Sequence, residues 1–456
     1  MHPFYSSTLV SLAVYAWQLT ASLTLVAANP ASVPASVKEL VRARVDQEYS
    51  SLDALYKHFH SHPEISFQEE NTAKRIADEL TKSGFEVTQK VGGHGVVGVL
   101  RNGAGPTILL RTDLDALPVK EQTDLAYASK VRTRDDKGNE VDVMHACGHD
   151  VHMTVFVGTA RLLAQQIKNK WQGTLVMIGQ PAEERVGGAK AMIADGLFTR
   201  FPKPDFCLAL HVDATLPAAT VGYVEGYAMA NVDSVDIVIR GVGGHGAWPH
   251  KTKDPIVLAA QTILALQTIV SRETEPIEPA VVTVGSIQGG TKYNIIPDDV
   301  RLQLTLRSYS DQVRSNTIAS VKRITRGLAL AAGMPEDRMP IVTLADESAS
   351  STYNDPELTQ RLAKTFEAWL GEAKTKRVKP VMGAEDFGMY GRTDQKVPIC
   401  LYWLGSVDSQ RIEESRHTGR SLPSLHSSLY QPTPEATIKT GVTAMTAAVL
   451  ELAGKP

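Results

Sequence analysis

The 456-residue sequence predicts an α/β fold with a mostly parallel sheet, interrupted by a small α+β domain. Short apolar runs alternate with helical patterns between residues 96 and 210, which is typical of a parallel sheet covered by helices. From about Asn231 the order becomes β-α-β-β-α-β, the split βαβ or ferredoxin-like plan. Helices and one apolar strand return after residue 346. The pattern indicates one α/β domain (31–230 and 347–456) around an inserted small domain (231–346).

The elements of the first domain are predicted from the spacing of apolar side chains. Residues 35–59 and 71–83 carry such side chains at helical steps, and Gly84 closes the second helix. Short apolar runs between turn residues predict strands, and longer periodic runs predict helices. In chain order these are strands 96–100 and 107–110, helix 152–166, strand 173–178, helix 189–197 and strand 205–210.

The inserted domain and the return to the first domain are predicted in the same way. Residues 235–240 alternate as a strand, and Pro255 in the first turn favours a helix over residues 254–272. The remaining predicted elements are strands 281–287 and 300–306, helix 311–332, strand 341–345, helix 358–370, strand 398–404 and helix 437–452.

The first 28 residues contain no Asp, Glu, Lys or Arg and are mostly apolar from Thr8 onward. Small residues at Val26 and Ala28 fit a signal-peptidase site, so we expect a cleavable signal peptide. The alternative is an uncleaved membrane anchor, since about 20 apolar residues can span a bilayer. Both readings place the protein outside the cytoplasm, periplasmic or secreted. We expect no later stretch to be long and apolar enough to span a membrane.

Composition and charge exclude several classes of protein. Hydrophobic residues make up 43% of the chain, which is too many for a disordered polypeptide. The 47 Lys and Arg against 50 Asp and Glu leave a net charge of −3, which argues against nucleic acid as a partner. Three widely spaced cysteines do not form a disulfide framework. The 13 histidines are more informative, because several lie in short clusters.

Four segments that end a predicted strand or open a predicted helix carry metal-ligating residue types. Sites in open α/β sheets lie beyond the carboxyl ends of the strands, so we expect these segments to converge. Most of them also have a structural explanation, such as a turn or a helix start. Segment 145–152 is hard to explain by packing alone, because it holds three histidines, a cysteine and an aspartate within eight residues. The segments are 111–115 (RTDLD), 145–152 (HACGHDVH), 180–184 (QPAEE) and 210–213 (LHVD).

The residue types of these segments indicate the chemistry. Imidazole and thiolate together suit zinc and tolerate other first-row divalent cations. The adjacent Glu183 and Glu184 point to opposite sides at a strand end, so one can bind metal while the other acts as a general base. Two divalent cations about 3.5–4 Å apart polarise a carbonyl and lower the pKa of water. The motifs therefore predict metal-dependent hydrolysis.

Six motifs, in order along nearly the whole mature chain, resemble the M20 metallopeptidase family. The most similar branch is the amidohydrolase subfamily of hippurate hydrolases, N-acyl-amino-acid amidohydrolases and auxin-conjugate hydrolases. In related branches a histidine stands two positions before Asp113, where this chain has Arg111. The motifs are 145–152 (HACGHDVH), 181–184 (PAEE), 243–250 (GGHGAWPH), 294–298 (NIIPD), 383–387 (GAEDF) and 425–427 (LHS).

The resemblance implies a catalytic domain that binds two divalent metal ions per subunit, zinc or manganese, and a smaller lid or dimerisation domain. Glu183 takes the general-base role, and Asp113 matches a catalytic carboxylate that orients a ligand. His94 and His417, in predicted loops, receive no role. The metal ligands implied by motif position are Cys147, His149, Glu184, His211 and His426.

In the small domain the resemblance implies a homodimer in which His245 reaches the partner subunit's site. There it would stabilise a tetrahedral oxyanion, an effect of roughly 3–4 kcal/mol per donor. The alternative for His245 is a turn residue in a glycine-rich loop. Asn294 and Arg307 resemble residues that bind the substrate carboxylate, since an Arg fork matches a carboxylate. Arg307 could equally be a surface charge.

The sequence thus predicts a metal-dependent amidohydrolase that cleaves the amide bond of N-acyl or N-aroyl amino acids, or of small dipeptide-like conjugates. The alternative within the family is an exopeptidase, although the Cys147 motif favours the amidohydrolase branch. A metal-binding homologue that has lost catalysis is a further alternative, but every expected ligand and the base are present. A serine hydrolase is disfavoured because the chain has no G-x-S-x-G motif.

Overall fold

The computed structural model describes residues 33–455, and its two largest sheets have eight and four strands. The predicted signal peptide, residues 1–28, lies outside the described residues, so its cleavage stays a prediction. The α-helices are α1 (Ala35–Ser61), α2 (Glu70–Lys82), α3 (His149–Arg161), α4 (Gly188–Ala194), α5 (Leu197–Arg200), α6 (Pro255–Thr268), α7 (Asp311–Ala331), α8 (Pro356–Leu370), α9 (Gly388–Gly391), α10 (Ser409–Thr418) and α11 (Pro434–Ala453). The strands are β1 (Glu86–Gln89), β2 (Val96–Asn102), β3 (Thr107–Asp113), β4 (Arg132–Arg134), β5 (Glu140–Asp142), β6 (Gly173–Gln180), β7 (Phe206–Pro217), β8 (Val221–Tyr223), β9 (Gly226–Met229), β10 (Asn231–Arg240), β11 (Gly244–His245), β12 (Ala280–Gly289), β13 (Ile295–Ile296), β14 (Asp299–Ser308), β15 (Ile341–Ala349), β16 (Thr352–Asn354), β17 (Thr375–Arg377) and β18 (Ile399–Val407).

The larger sheet has the order β1-β2-β6-β3-β7-β18-β8-β17, and its central strands β6, β3, β7 and β18 run parallel. Apolar side chains are buried on both faces of these strands, as expected when helices cover a parallel sheet. Helices α1, α2, α3, α8 and α11 contribute to the core on one face, and α4, α5 and α9 to the core on the other. This layering confirms the predicted α/β fold.

Residues 231–349 form the predicted β-α-β-β-α-β unit. Strands β10, β12, β14 and β15 make an antiparallel sheet in the order β12-β14-β10-β15, and α6 and α7 share its apolar core. Buried and exposed residues alternate along the first part of β14, as expected for a sheet covered on one face. The α+β plan is confirmed, while the boundaries at residues 230 and 346 stay a prediction.

The helical segment Pro255–Glu273 contradicts one expectation. By length and composition alone, this segment is long and apolar enough to cross a membrane. The expectation that no stretch after residue 28 would have that length and apolar character was therefore wrong. Leu258 is buried against the small sheet, whereas Val257 and Leu264 are exposed. One side of the segment packs on the sheet, and its exposed side carries polar residues such as Gln261 and Gln267 as well as apolar ones.

β7 is longer than predicted, and this changes the setting of His211. The prediction ended the strand at residue 210, but β7 continues to Pro217, so His211 lies inside it. Parallel pairing with β18 extends past His211 to Asp213, opposite Gly405. Hydrogen bonds to β18 hold His211 and Asp213 in the sheet. Local residue preferences do not encode the presence of this neighbouring strand.

Candidate metal centre and active site

The predicted segments converge at the carboxyl ends of the parallel strands. Asp113, the last residue of β3, lies opposite Gln180, the last residue of β6, and residues 181–184 follow directly. His426 joins them from a distant loop, where its N–H donates to the Ala146 carbonyl at 2.9 Å. The fold thus brings His426 to Cys147 although 279 positions separate them in the sequence.

Gly148 determines how closely α3 approaches β7. Its φ of 77° lies in the left-handed region, which favours glycine. A Cβ atom at this position would lie 2.6 Å from Cγ2 of Val212 and would force the helix start away from the strand. The glycine between Cys147 and His149 therefore lets both side chains reach His211 on β7.

The five predicted metal ligands form two groups that share Cys147. Cys147 Sγ lies 3.5 Å from His211 Nε2, and His149 completes this group, whose ligand atoms lie within 4.8 Å of one another. In the second group His426 Nε2 lies 3.3 Å from Cys147 Sγ and 3.5 Å from Glu184 Oε2. One sulfur shared by two sets of nitrogen and oxygen donors suits two adjacent divalent cations.

Unpartnered polar atoms support metal binding at this position. His149 Nε2 and Glu184 Oε1 are buried, lack a hydrogen-bond partner and lie 3.8 Å apart. A buried polar atom without a partner costs roughly 1–3 kcal/mol. Divalent cations bound at this position would satisfy these atoms, so the residues present fit the metal ions that the sequence implies.

The electrostatics of the site also favour cations. Burial, and then the neighbouring carboxylates, raise the pKa of Glu183 well above its usual range. Burial raises the pKa of Glu184 to about 7 and that of the Cys147 thiol well above its usual range. Burial alone would lower the pKa of His149, but the carboxylate of Asp113 and its neighbours reverse this and raise it to about 10. Positive charge is therefore strongly stabilised in this cluster.

Asp113 and Asp115 hold the histidines around the site. The His149 Nδ1–H donates to the Asp115 carbonyl at 2.7 Å, which leaves Nε2 free to bind a metal. Asp113 Oδ1 lies 2.8 Å from His152 Nδ1, and its Oδ2 lies 3.6 Å from His149 Nε2. His152 Nε2 in turn accepts from the Val212 N–H at 2.9 Å. The hydrogen bond that orients His149 thus comes from the Asp115 backbone, while the Asp113 carboxylate orients His152.

Three members of a buried ion network beside the site, Arg111, Glu385 and Asp386, received no role from the sequence. Arg111 donates to Asp113 at 2.7 Å, to Glu385 at 2.8 Å and to Asp386 at 3.2 Å, and all four side chains are buried. Glu385 and Asp386 belong to the motif at residues 383–387. Two adjacent acidic residues in an apolar setting require a buried cation, and this signal could have pointed to Arg111. The network ties the end of β3 to a loop 274 positions away.

A cavity of about 640 Å³ opens onto the ligand groups. Arg307, which lies on β14, is half-buried in its wall and donates to the Met382 carbonyl at 3.2 Å. The structure thus brings this predicted substrate-binding residue to the same cavity as Glu183 and Glu184. The apolar part of the wall includes Met229, Val232, Val381 and Trp403.

His245 lies on the two-stranded ribbon of β11 and β13, and Asn294 immediately precedes β13. His245 pairs with Ile295, and the Gly246 N–H donates to the Asn294 carbonyl at 2.9 Å. The exposed His245 ring lies 4.9 Å from the ring of Trp248. Neither His245 nor Asn294 lines the 640 Å³ cavity formed by the described residues. Within one chain, therefore, these two predicted residues are not brought to the metal ligands.

Comparison with known proteins agrees with this site. Residues 109–423 match the profile of Peptidase family M20/M25/M40. The chain belongs to peptidase family M20. It is 37% identical over 356 residues to thermostable carboxypeptidase 1 of Saccharolobus solfataricus, and this match covers 77% of this chain and 85% of that protein. It is 38% identical over 333 residues to hippurate hydrolase of Campylobacter jejuni, and this match covers 73% of this chain and 82% of that protein.

A solved M20 structure extends the comparison to the metal centre. The Bacillus subtilis YXEP protein, a dinuclear metal-binding peptidase of the M20 family, superposes with a TM-score of 0.71 at 29% identity. The match covers 89% of this chain and 99% of that one. The M20 membership confirms the predicted family and enzyme class: this chain is a hydrolase of amide bonds with residue groups that can bind metal.

Proposed function

We propose that this M20 hydrolase uses two divalent cations to cleave the amide bond of N-acyl or N-aroyl amino acids. The observation that carries the proposal is the position of Cys147 in both ligand groups. His149 and His211 would complete one metal site, and Glu184 and His426 the other. The thiolate and imidazoles suit zinc, and the carboxylate also accepts manganese.

The mechanism assigns the proton transfers to Glu183. Divalent cations bound at this site would polarise the scissile carbonyl and make the attacking water more acidic. Glu183 Oε2 lies 3.9 Å from His149 Nε2, so this carboxylate is beside the ligands that would hold the cations. It accepts a proton from the attacking water and then donates it to the nitrogen of the leaving amine.

The cavity supports a substrate with an apolar acyl group and a free carboxylate. Met229, Val381 and Trp403 offer an apolar wall, and the Arg307 guanidinium supplies a positive charge in the same cavity. The relative named hippurate hydrolase favours this class of substrate. The relative named thermostable carboxypeptidase 1 keeps an exopeptidase as the second candidate.

The proposal is tested by measuring amine release from N-acetyl and N-benzoyl amino acids and from dipeptides, with metal content measured alongside. We expect N-acylated amino acids to be hydrolysed faster than dipeptides. A chelator should abolish this activity, and zinc or manganese should restore it at about two ions per chain. Faster cleavage of dipeptides would favour the exopeptidase, and the absence of any chelator-sensitive hydrolysis would contradict both candidates.

The Arg307→Ala variant is expected to raise KM about 10- to 100-fold for an N-acyl amino acid, because a charge-assisted hydrogen bond to the carboxylate is lost. The measurement compares each N-acyl amino acid with the matching N-acyl amine, which lacks the carboxylate. Wild type should discriminate strongly between the two, and the variant should not. Equal discrimination in both proteins would remove Arg307 from the substrate site.

A homodimer through the small domain is part of the proposal. His245 is exposed and does not line the cavity of its own chain, and α6 of the same domain leaves Val257 and Leu264 exposed. A second copy that covers this face would explain both features. The exposed His245 would gain a catalytic role only where a partner subunit provides a site for it.

The Leu264→Glu variant is expected to be monomeric, because it places a charge on the face that the partner would bury. Ile341→Glu is the matched control. Ile341 is also exposed, but it lies on β15, an edge strand of the small sheet, and not on α6. Light scattering gives the mass, and amide hydrolysis is assayed alongside. A dimeric Leu264→Glu protein, or a monomer with full activity, would contradict the proposed dimer.

Export is also proposed, by cleavage of residues 1–28. The supporting observation is the uncharged apolar segment that ends in small residues. Sequencing the amino terminus of the exported protein should give Asn29 as the first residue. A membrane-bound protein that retains residues 1–28 would favour the anchor instead.

A further inference from the structure

Glu69 is a buried carboxyl group outside the metal-ligand set. It immediately precedes α2 and is completely buried. Its Oε1 accepts hydrogen bonds from the Phe67 N–H at 2.9 Å and from the Ala182 N–H at 2.8 Å. Ala182 directly precedes Glu183. We propose that Glu69 is a positioning residue that fixes the general base Glu183 through the backbone of Ala182. The inference rests on the proposed function of Glu183.

The backbone at Ala182 needs such a restraint. Its φ is 48°, in the left-handed region that residues with a Cβ atom rarely adopt. Its carbonyl accepts from the N–H groups of Gly187 and Gly188 at 3.1 and 3.2 Å, so the peptide groups on both sides of the residue are held. A strained conformation persists only where its surroundings fix it. Loss of the Glu69 acceptor would let Ala182 relax and would turn the Glu183 side chain away from its position.

The ligand Glu184 has a separate restraint. Its N–H donates to Asp115 Oδ2 at 3.0 Å, and the same oxygen accepts from Ser66 Oγ at 2.6 Å. Because this contact does not involve Glu69, a change at Glu69 should disturb the base more than the ligand. The expected signature is a fall in kcat with little change in metal affinity, which a general loosening of the site would not produce.

The protonation of Glu69 decides which substitution is conservative. Burial, and then the nearby Asp115 carboxylate, raise the pKa of Glu69 to about 8, so the side chain is mostly a neutral acid at pH 7. Its Oε2 has no hydrogen-bond partner. A glutamine keeps the length, the neutral charge and the Oε1 acceptor. An aspartate is one methylene shorter and would leave the Ala182 N–H without its partner.

The test compares Glu69→Gln, Glu69→Asp and Glu69→Ala in the metal-loaded protein, on an N-acyl amino acid that wild type hydrolyses. Glu69→Asp and Glu69→Ala should lower kcat roughly 10- to 100-fold, the cost expected for a displaced catalytic group. KM and zinc affinity, measured by competition with a chelating dye, should stay within about threefold of wild type. Glu69→Gln should keep kcat within about threefold. Glu70→Ala, at the exposed neighbouring position, is the control for α2 and should match wild type.

Thermal unfolding of each variant separates folding from positioning. A folded Glu69→Ala protein with wild-type kcat would overturn the inference, as would a parallel loss of kcat and zinc affinity. If Glu69→Ala does not fold, Glu69→Asp and Glu69→Gln decide, and equal kcat values for these two would overturn it. A wild type without chelator-sensitive hydrolysis would instead overturn the proposed function, and this inference with it.

Discussion

Glu183→Gln should retain its metal ions and lose turnover by roughly 10²- to 10⁴-fold, because an amide of the same shape cannot accept the proton of the attacking water. Glu183 is not one of the five proposed ligands, so the metal content should remain at the wild-type level. The measurement is kcat on an N-acyl amino acid, together with elemental analysis of the purified variant. Near wild-type turnover would remove Glu183 from the role of base.

The matched control for this variant is Glu347→Gln. Glu347 lines the same cavity and accepts from Arg185 Nε at 2.6 Å, but it lies on β15 and belongs to neither ligand group. The same chemical change there should leave kcat within about threefold of wild type. An equal loss in both variants would mean that removing negative charge from the cavity, rather than removing the base, lowers activity.

The second large effect is expected at the shared ligand. Cys147→Ala should deprive both metal sites of a ligand, so the purified variant should hold fewer metal ions and lose essentially all chelator-sensitive activity. Wild type should also be stabilised by added metal, by about 2.7 kcal/mol at a hundred times Kd, and the variant should lose most of this gain. Elemental analysis and thermal unfolding with and without zinc provide the measurements.

Cys207→Ala is the control for Cys147→Ala. Cys207 is a buried free cysteine on β7 and belongs to neither ligand group, and burial raises the pKa of its thiol. We expect full metal content and turnover, with a loss of stability of about 1 kcal/mol from the small cavity. A Cys147→Ala protein that holds two ions with wild-type affinity would contradict the shared-ligand arrangement.

Local sequence patterns were sufficient to predict the site residues that lie close together in the sequence. The segment 145–152 compresses two ligands and a helix start into a few residues, and Glu183 and Glu184 are adjacent at a strand end. Apolar periodicity located the main helices and strands, because burial on one face imposes a regular spacing. The α/β order and the inserted α+β unit followed from these elements.

Contacts between distant residues could not be derived from spacing. His211 was placed after a strand, yet pairing with β18 holds it inside β7. The partners of Arg111 lie 274 and 275 positions away, and Glu69 lies 113 positions from Ala182. Such pairs depend on which strands become neighbours and on how each loop turns, and no local pattern records this.

The sequence by itself determined the fold class, the family and the residue types that can bind metal, because periodicity and short motifs are local. The tertiary structure alone decided that β7 continues past His211 and that Arg111 joins Asp113, Glu385 and Asp386 in one buried network. It also decided that Glu69 accepts a hydrogen bond from the Ala182 N–H, next to Glu183. These features depend on contacts between strand ends and loops that are far apart in the sequence, and only the packing of the whole sheet determines those contacts.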